Sequence, residues 1–466
     1  MTHVAVIGAY GSAGVAAAER LAEDPEIDLT MIDDADPGGG LCILRGCMPS
    51  KEVLSATEHR FAARHDDRLV GDVPDVDIEA VVERKNDHTA EWASYRRDAV
   101  EELAERDDVE FLRETARFVD DRVLQVGDRT IEPDYVVVAT GSNVNVPPIP
   151  GIDDVPVQTS ADVLDATDFA DTGLVIGMGV VGLELVPYLS EAGGMDLTVV
   201  EMLPQLLGQA DEAFGEELRT FYEDAFDIDV MLAAQTEAIE TTATGGVRMT
   251  VTHEGETRDL EAEEVFAFTG RKPALEGVDI DETSIEPGPG WVDDTLRAID
   301  DERVYVVGDA NGRQPVLHVA KEEGYHAAEN IQRDVAGDSL AEYDPIHHHV
   351  VFSGLGVLPF ARVGHTEESA QEAGYDPITV SQRADHEGVF KAKNVPEGLA
   401  TLVVARDGTV LGYQGLHYHA DAMAKTMQIV VEMELDVRRL PDRAYHPTTP
   451  EILDAMFRDA SAELDR

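Results

Sequence analysis

Apolar positions alternate into a strand over residues 3–8, which runs into Gly8. Gly11 and Gly14 follow, and the Ala-rich spacing from about Val15 to Ala22 predicts a helix. A second strand is expected over about Leu29–Ile32, ending at Asp33, nineteen residues after Gly14. Strand, glycine turn, helix and strand-end acid are the layout of a dinucleotide-binding unit. A charged helical stretch covers about Ile78–Arg106, and strand-like segments follow at Val109–Leu112, Arg122–Val126 and Tyr135–Ala139. Pro147, Pro148, Pro150 and Gly151 then mark a boundary. The pattern repeats beyond it. A strand at Leu174–Ile176 leads into Gly177-Met178-Gly179-Val180-Val181-Gly182, a helix to about Ala192 whose pattern Pro187 interrupts, and a strand at Leu197–Val200 ending at Glu201. Residues 304–309 predict a further strand with Asp309 at its carboxyl end. The last hundred residues mix strands at Ala400–Val404 and Val410–Tyr413 with a helix near Ala422–Glu434. The expected class is α/β, with two Rossmann-like dinucleotide-binding domains and a C-terminal α+β domain.

The glycine turns carry the first chemistry. A turn without side chains lets backbone N–H groups approach a pyrophosphate at a helix N-terminus, where the helix dipole favours its charge. The strand-end acid accepts hydrogen bonds from ribose hydroxyls. Either turn alone also reads as an ordinary tight turn; two in one chain point to two dinucleotides. The first departs from GxGxxG: with Gly11 and Gly14 in second and third place, Ala9 stands first, Gly8 lies one residue early, and Tyr10 sits inside the turn, as packing or as a cover for a pyrophosphate. A carboxylate at Glu201 suits a free 2′-hydroxyl and repels a 2′-phosphate, which favours NAD over NADP unless Glu201 is a solvated strand-end acid.

Composition narrows the setting. At 466 residues the chain is too long for one core and suggests two to four domains. No apolar run approaches a membrane span. The N-terminus enters a strand at once, with no basic and apolar leader, so a cytoplasmic location without a membrane partner is expected. Acids number 94 against 36 Lys and Arg, a formal net charge of −58 spread along the whole chain. Such a surface repels itself at low salt, and high salt screens it. A salt-loving host or a docking face for a basic partner both fit; nucleic acid does not. The two cysteines, Cys42 and Cys47, are too few for a disulfide-stapled domain or a structural zinc site. A close pair in a cytoplasmic protein reads as redox-active or as two buried structural thiols. His347, His348 and His349 read as a metal site or as a strand entry with exposed imidazoles; we expect the latter and no metal.

The segment Gly39-Gly40-Leu41-Cys42-Ile43-Leu44-Arg45-Gly46-Cys47-Met48-Pro49-Ser50-Lys51 resembles the redox signature GGxCxxxxGCxPxK of the pyridine nucleotide-disulfide oxidoreductases, the family of dihydrolipoamide dehydrogenase, glutathione reductase and mercuric reductase. Further motifs resemble the family's in order: Ala139-Thr140-Gly141-Ser142, Gly177 to Glu184, Thr269-Gly270-Arg271-Lys272-Pro273, Gly308-Asp309, Leu317-His318-Val319-Ala320, and His446-Pro447-Thr448 with Glu451. There are departures. Leu41 and Leu44 replace the usual Thr and Asn, Phe352–Gly364 is longer than the family's interface strand, Ala444 stands where many members have histidine, and the second cysteine pair of mercuric reductases is absent.

The resemblance implies an enzyme passing two electrons between a dithiol or disulfide, FAD and NAD. Cys42 would exchange with substrate and Cys47 would face the flavin, with His446 moving the proton and Glu451 orienting it. Gly8, Gly11, Gly14, Asp33, Gly40, Lys51, Thr140, Gly141, Asp309 and His318 would hold FAD. Gly177, Gly179, Gly182, Glu184, Glu201 and Gly270 would hold NAD, with Lys51 paired to Glu184 near the flavin. Arg45 either lowers a thiolate pKa or faces solvent. The implied domains are 1–147 (FAD, first part), 148–272 (NAD(P)), 273–343 (FAD, return) and 344–466 (dimerisation), in a homodimer with an intersubunit active site. A dihydrolipoamide dehydrogenase-like activity, with a 2-oxoacid dehydrogenase complex as a candidate partner, is the expectation. An NAD(P)H-dependent reductase of a small disulfide, a mercuric reductase-like enzyme and a non-catalytic flavoprotein docking subunit are the alternatives.

Overall fold

The computed structural model describes residues 1–443 and 445–466, so Ala444 lies outside the described residues. The chain forms two compact units: residues 1–49, 84–145 and 271–345 make the first, and residues 50–83, 146–270 and 346–466 the second.

Among the described residues the first unit holds a six-stranded sheet in the order Arg297–Ala298, Asp301–Val306, Tyr135–Val138, Thr2–Ile7, Ile27–Ile32, Val109–Leu112. All but the first strand run parallel. A parallel sheet is covered on both faces, which explains the unbroken apolar runs. Val4, Val6, Tyr135 and Val137 pack with the helices Ser12–Leu21 and Leu317–Ala336. Ala5, Ile7, Val136 and Val138 pack on the other face, with a three-stranded sheet built from Ala116–Asp120, Val123–Val126 and Arg129–Ile131. The expected strand from Arg122 starts one residue later, because Arg122 takes a left-handed turn conformation at φ 54°.

In the second unit a parallel sheet, in the order Asp229–Met231, Asp196–Val200, Thr172–Ile176, Glu264–Ala267, Val157–Gln158, repeats the design. A separate antiparallel sheet runs His348–Val351, Phe360–Gly364, Val410–Leu416, Leu399–Ala405, Pro377–Arg383. The helices Ala420–Glu432 and Glu451–Leu464 join its core. Among the described residues no helix is long and apolar enough to cross a membrane.

Four expectations need correction. The strand predicted over 304–309 ends at Val306, and Asp309 lies in a 3-10 turn, Gly308–Asn311, because the buried Glu323 carboxylate draws the Gly308 N–H out of the ladder. Pro187 does not interrupt its helix, which runs unbroken over Val180–Glu191. A helical proline leaves the carbonyl four residues back without a donor; here the Tyr222 hydroxyl donates to the Leu183 carbonyl at 2.5 Å instead. The stretch Phe352–Gly364 is no single long strand, since residues 352–359 make a loop with a 3-10 turn at Gly354–Gly356. The imidazoles of His347, His348 and His349 are half-buried rather than exposed, and His347 Nε2 lies 2.8 Å from His349 Nδ1.

Candidate active site

The two glycine turns share one construction. Gly8 and Gly177 each donate their N–H to the end of the next strand, to the Ile32 and Val200 carbonyls. A Cβ on Gly14 would lie 2.1 Å from the Gly8 carbonyl oxygen, and one on Gly182 2.8 Å from that of Gly177, so each helix crosses its own turn where only glycine fits. Asp33 Oδ2 accepts the Tyr10 N–H at 2.8 Å, and Glu201 Oε2 accepts the Met178 N–H at 2.6 Å. Burial raises the Asp33 pKa. The helices begin after Gly11 and Gly179 with no capping side chain and no acid of their own in the first turn, which leaves N–H groups at each positive dipole end for an anion. The extra residue of the first turn is absorbed by Tyr10. Its ring is buried under Gly38, where a Cβ would come within 2.2 Å, and edge-on to Phe111. Tyr10 is therefore packing.

Three motifs far apart in sequence meet in the first unit. The Ser142 hydroxyl donates to Asp309 Oδ2 at 2.5 Å, while Arg271 donates to the Ser142 hydroxyl (2.8 Å) and carbonyl (2.6 Å). Beside them the Thr140 hydroxyl is buried without a hydrogen-bond partner among the described residues, and beyond Gly141, at φ 72°, there is open space. A buried hydroxyl with no partner is costly, which fits a site completed by a ligand. His318 is half-buried in the first turn of the Leu317–Ala336 helix. Gly270, at φ 86°, also faces open space.

Sequence reasoning missed Glu323, which receives the Gly308 N–H (2.7 Å) and the Asn311 amide (2.8 Å) beneath the Asp309 turn. The signal was present: an acid within the apolar stripe Val319, Ala320, Gly324, Ala327. Burial pushes its pKa up to about 7 from 4.5. The folded state therefore prefers the protonated acid, and stability falls as pH rises from about 4.5 to about 7. Denaturation in concentrated salt is expected to show Glu323→Gln more stable than wild type at pH 7.5, by up to about 3 kcal/mol, with the advantage gone near pH 4.5. A difference independent of pH would contradict this.

The cysteines flank a break. Gly40, at φ 79°, opens the short helix Leu41–Leu44, which carries Cys42. Gly46 passes so close that a Cβ would lie 3.0 Å from the Cys42 Cα, and Cys47 opens the 19-residue helix Cys47–His65. Cys42 is half-buried and Cys47 exposed. A hydrogen bond with Cys47 raises the Cys42 pKa, and burial and the Cys47 charge push it the same way. Cys47 stands at the N-terminus of its helix, an end whose dipole favours negative charge. Arg96, also missed from sequence, lies half-buried on the Ile78–Ala104 helix, donates to the Tyr10 carbonyl at 3.0 Å and pulls the Cys42 pKa down. Arg45 faces solvent.

In the second unit Lys51 Nζ lies 2.6 Å from Glu184 Oε2, and Glu184 is buried. Further along, His446 Nδ1 lies 3.0 Å from Glu451 Oε2, and the Thr448 N–H donates to Glu451 Oε1 at 2.9 Å. The His446 contact, followed by the Thr448 N–H, holds the Glu451 carboxyl below its usual pKa. The His446 side chain is 78% exposed in the single chain.

The family model of the pyridine nucleotide-disulphide oxidoreductases matches residues 2–324, and that of their dimerisation domain matches residues 349–457. The chain belongs to this family. Like other pyridine nucleotide-disulphide oxidoreductases it is an enzyme that works with FAD and a nicotinamide dinucleotide. It is 30% identical over 465 residues to a dihydrolipoyl dehydrogenase of Haloferax volcanii, covering 97% of this chain and 94% of that one. It is 28% identical over 403 residues to a mercuric reductase of Bacillus cereus, covering 83% of this chain and 61% of that one. Among solved structures it resembles LpdA of Mycobacterium tuberculosis (TM-score 0.82, 21% identity, all of both chains). It also resembles the HOCl-induced flavoprotein disulfide reductase RclA of Escherichia coli (TM-score 0.80, 22% identity, 98% of this chain and 99% of that one). At such identities these two show the fold. The α/β architecture and the C-terminal dimerisation domain expected from sequence are those of the family.

Proposed function

We propose that this oxidoreductase oxidises dihydrolipoyl groups with NAD through Cys42 and Cys47. The observation that carries the reading is the unequal cysteine pair, one half-buried sulfur hydrogen-bonded to a second, exposed one at a helix start. A substrate thiolate attacks the sulfur of Cys42 in the Cys42–Cys47 disulfide, and Cys47 leaves as a thiolate. The second substrate thiol, giving its proton to His446, attacks the mixed disulfide; the cyclic substrate disulfide departs and Cys42 takes up a proton. Glu451 orients the imidazole and stabilises its charged form. Gly8, Gly11, Gly14, Asp33, Gly40, Lys51, Thr140, Gly141, Asp309 and His318 would hold FAD, which when bound would supply a two-electron relay. Gly177, Gly179, Gly182, Glu184, Glu201 and Gly270 would hold NAD.

The likeness to a dihydrolipoyl dehydrogenase over nearly the whole chain supports the substrate, and the Glu201 carboxylate supports NAD. The dimerisation domain and the exposed His446 support a homodimer in which His446 serves the partner's cysteines. The charge of −58 supports work in a salt-rich cytoplasm, and the likeness to a dihydrolipoyl dehydrogenase supports a 2-oxoacid dehydrogenase complex as partner. Steady-state assays in concentrated salt test the substrate and the coenzyme together. Dihydrolipoamide should be oxidised with NAD, and NAD favoured over NADP by about tenfold or more. Silence towards dihydrolipoamide, with rapid NADPH-dependent reduction of a small disulfide, would replace this reading by the second.

A further inference from the structure

The loop over residues 352–359 is a segment that the proposed reaction does not use. In the second unit it lies across the Val180–Glu191 helix at Glu184. The Phe352 N–H donates to Glu184 Oε1 at 3.2 Å, and the Lys51 ammonium sits 4.5 Å from the centre of the Phe352 ring. One residue thus holds both members of the Lys51–Glu184 pair, the acid by its backbone and the ammonium by the face of its ring. A cation over an aromatic face is attracted by the ring's quadrupole.

The loop is held in turn. Ser353 is fully buried and donates to the Leu358 carbonyl at 2.5 Å. Leu355 is also buried although it takes a left-handed conformation, φ 62°, that a leucine rarely adopts. The Gly354 N–H donates to the Tyr222 hydroxyl at 3.0 Å, and that same hydroxyl donates to the Leu183 carbonyl which Pro187 leaves unpaired. Leu183 immediately precedes Glu184. A buried hydroxyl thus ties the loop to the helix one residue from the acid.

The geometry points to this loop as a brace for the Lys51–Glu184 pair, with Phe352 and Tyr222 as positioning residues. That the pair tunes the flavin rests on the reading above; that Phe352 and Tyr222 hold it does not. The FAD-loaded protein in concentrated salt decides between outcomes through two readouts. One is the rate at which an amine-reactive reagent modifies Lys51, followed by peptide mass spectrometry. The other is the midpoint potential of the flavin.

Phe352→Leu is expected to raise Lys51 modification about fivefold, the factor that a single cation–π contact supplies. It should also make the flavin potential more negative, because a looser ammonium stabilises the reduced ring less. Phe352→Tyr keeps the ring face and should stay within about twofold of wild type. Tyr222→Phe should also raise Lys51 modification, since the Leu183 carbonyl and Gly354 N–H lose their shared partner. An unchanged Phe352→Leu protein would overturn the proposal, as would equal acceleration in the Leu and Tyr variants. An unchanged Tyr222→Phe protein would overturn the anchor. If lysine modification behaves as expected while the potential does not move, the brace stands and the placement of the pair beside the flavin fails.

Discussion

Cys42→Ser is expected to cut turnover of a dithiol substrate by about 10⁴-fold, while the purified protein shows, without any reductant, a long-wavelength absorbance band from the Cys47 thiolate to the flavin. Cys47→Ser is expected to lose turnover to a similar extent and to lack that band. The difference follows from the geometry. Cys42 is the half-buried sulfur whose pKa is raised by its hydrogen bond to Cys47. Cys47 stands at the start of a 19-residue helix, where the dipole favours an anion. Removing Cys42 leaves Cys47 without a disulfide partner, hence the band; removing Cys47 removes the anion. Visible spectra and turnover of both variants check this, and a band in Cys47→Ser would exchange the two roles.

The second large effect belongs to His446 and Glu451. His446→Ala is expected to slow dithiol oxidation by about 10²- to 10⁴-fold, the range of a positioned general acid–base. Hydride exchange between nicotinamide and flavin, which moves no thiol proton, should be almost untouched. Glu451→Gln keeps the size of the side chain but weakens the hold on the imidazole, and should cost about ten- to a hundredfold. The wild-type Glu451 carboxyl lies below its usual pKa because it accepts from His446 and the Thr448 N–H. A depressed acid stays ionised until pH falls below its ordinary range, so the carboxylate supports His446 throughout neutral and mildly acidic conditions. Rapid-mixing measurements of the two half-reactions check the split; equal slowing of both in His446→Ala would assign that residue a structural role.

Local rules placed much of this molecule. Both glycine turns were legible because strand, turn, helix and acid lie within some thirty residues, and the cysteine segment because only four residues separate its thiols. The pairing of Lys51 with Glu184 and of His446 with Glu451 followed from motif resemblance and is met in the structure at hydrogen-bond distance. What stayed hidden depends on long-range packing. Pro187 looked like a helix interruption because its compensating donor, Tyr222, sits 35 positions on and reaches it only in the folded chain. Asp309 was placed at a strand end because the pull of Glu323 on the Gly308 N–H has no signature within that strand. Arg96 lay unremarked within the charged helical stretch, although tertiary packing half-buries it beside Tyr10 and Cys42. Phe352 read as part of a long strand, when its backbone and ring are committed to Glu184 and Lys51.

Anaerobic titration of the purified wild-type protein with NADH in concentrated salt tests the central assignment most directly. Uptake of the first two electrons should leave the flavin oxidised and raise a broad long-wavelength band from the Cys47 thiolate. A protein that stays colourless after reconstitution with FAD, or one whose flavin bleaches with the first two electrons and never shows that band, would contradict it.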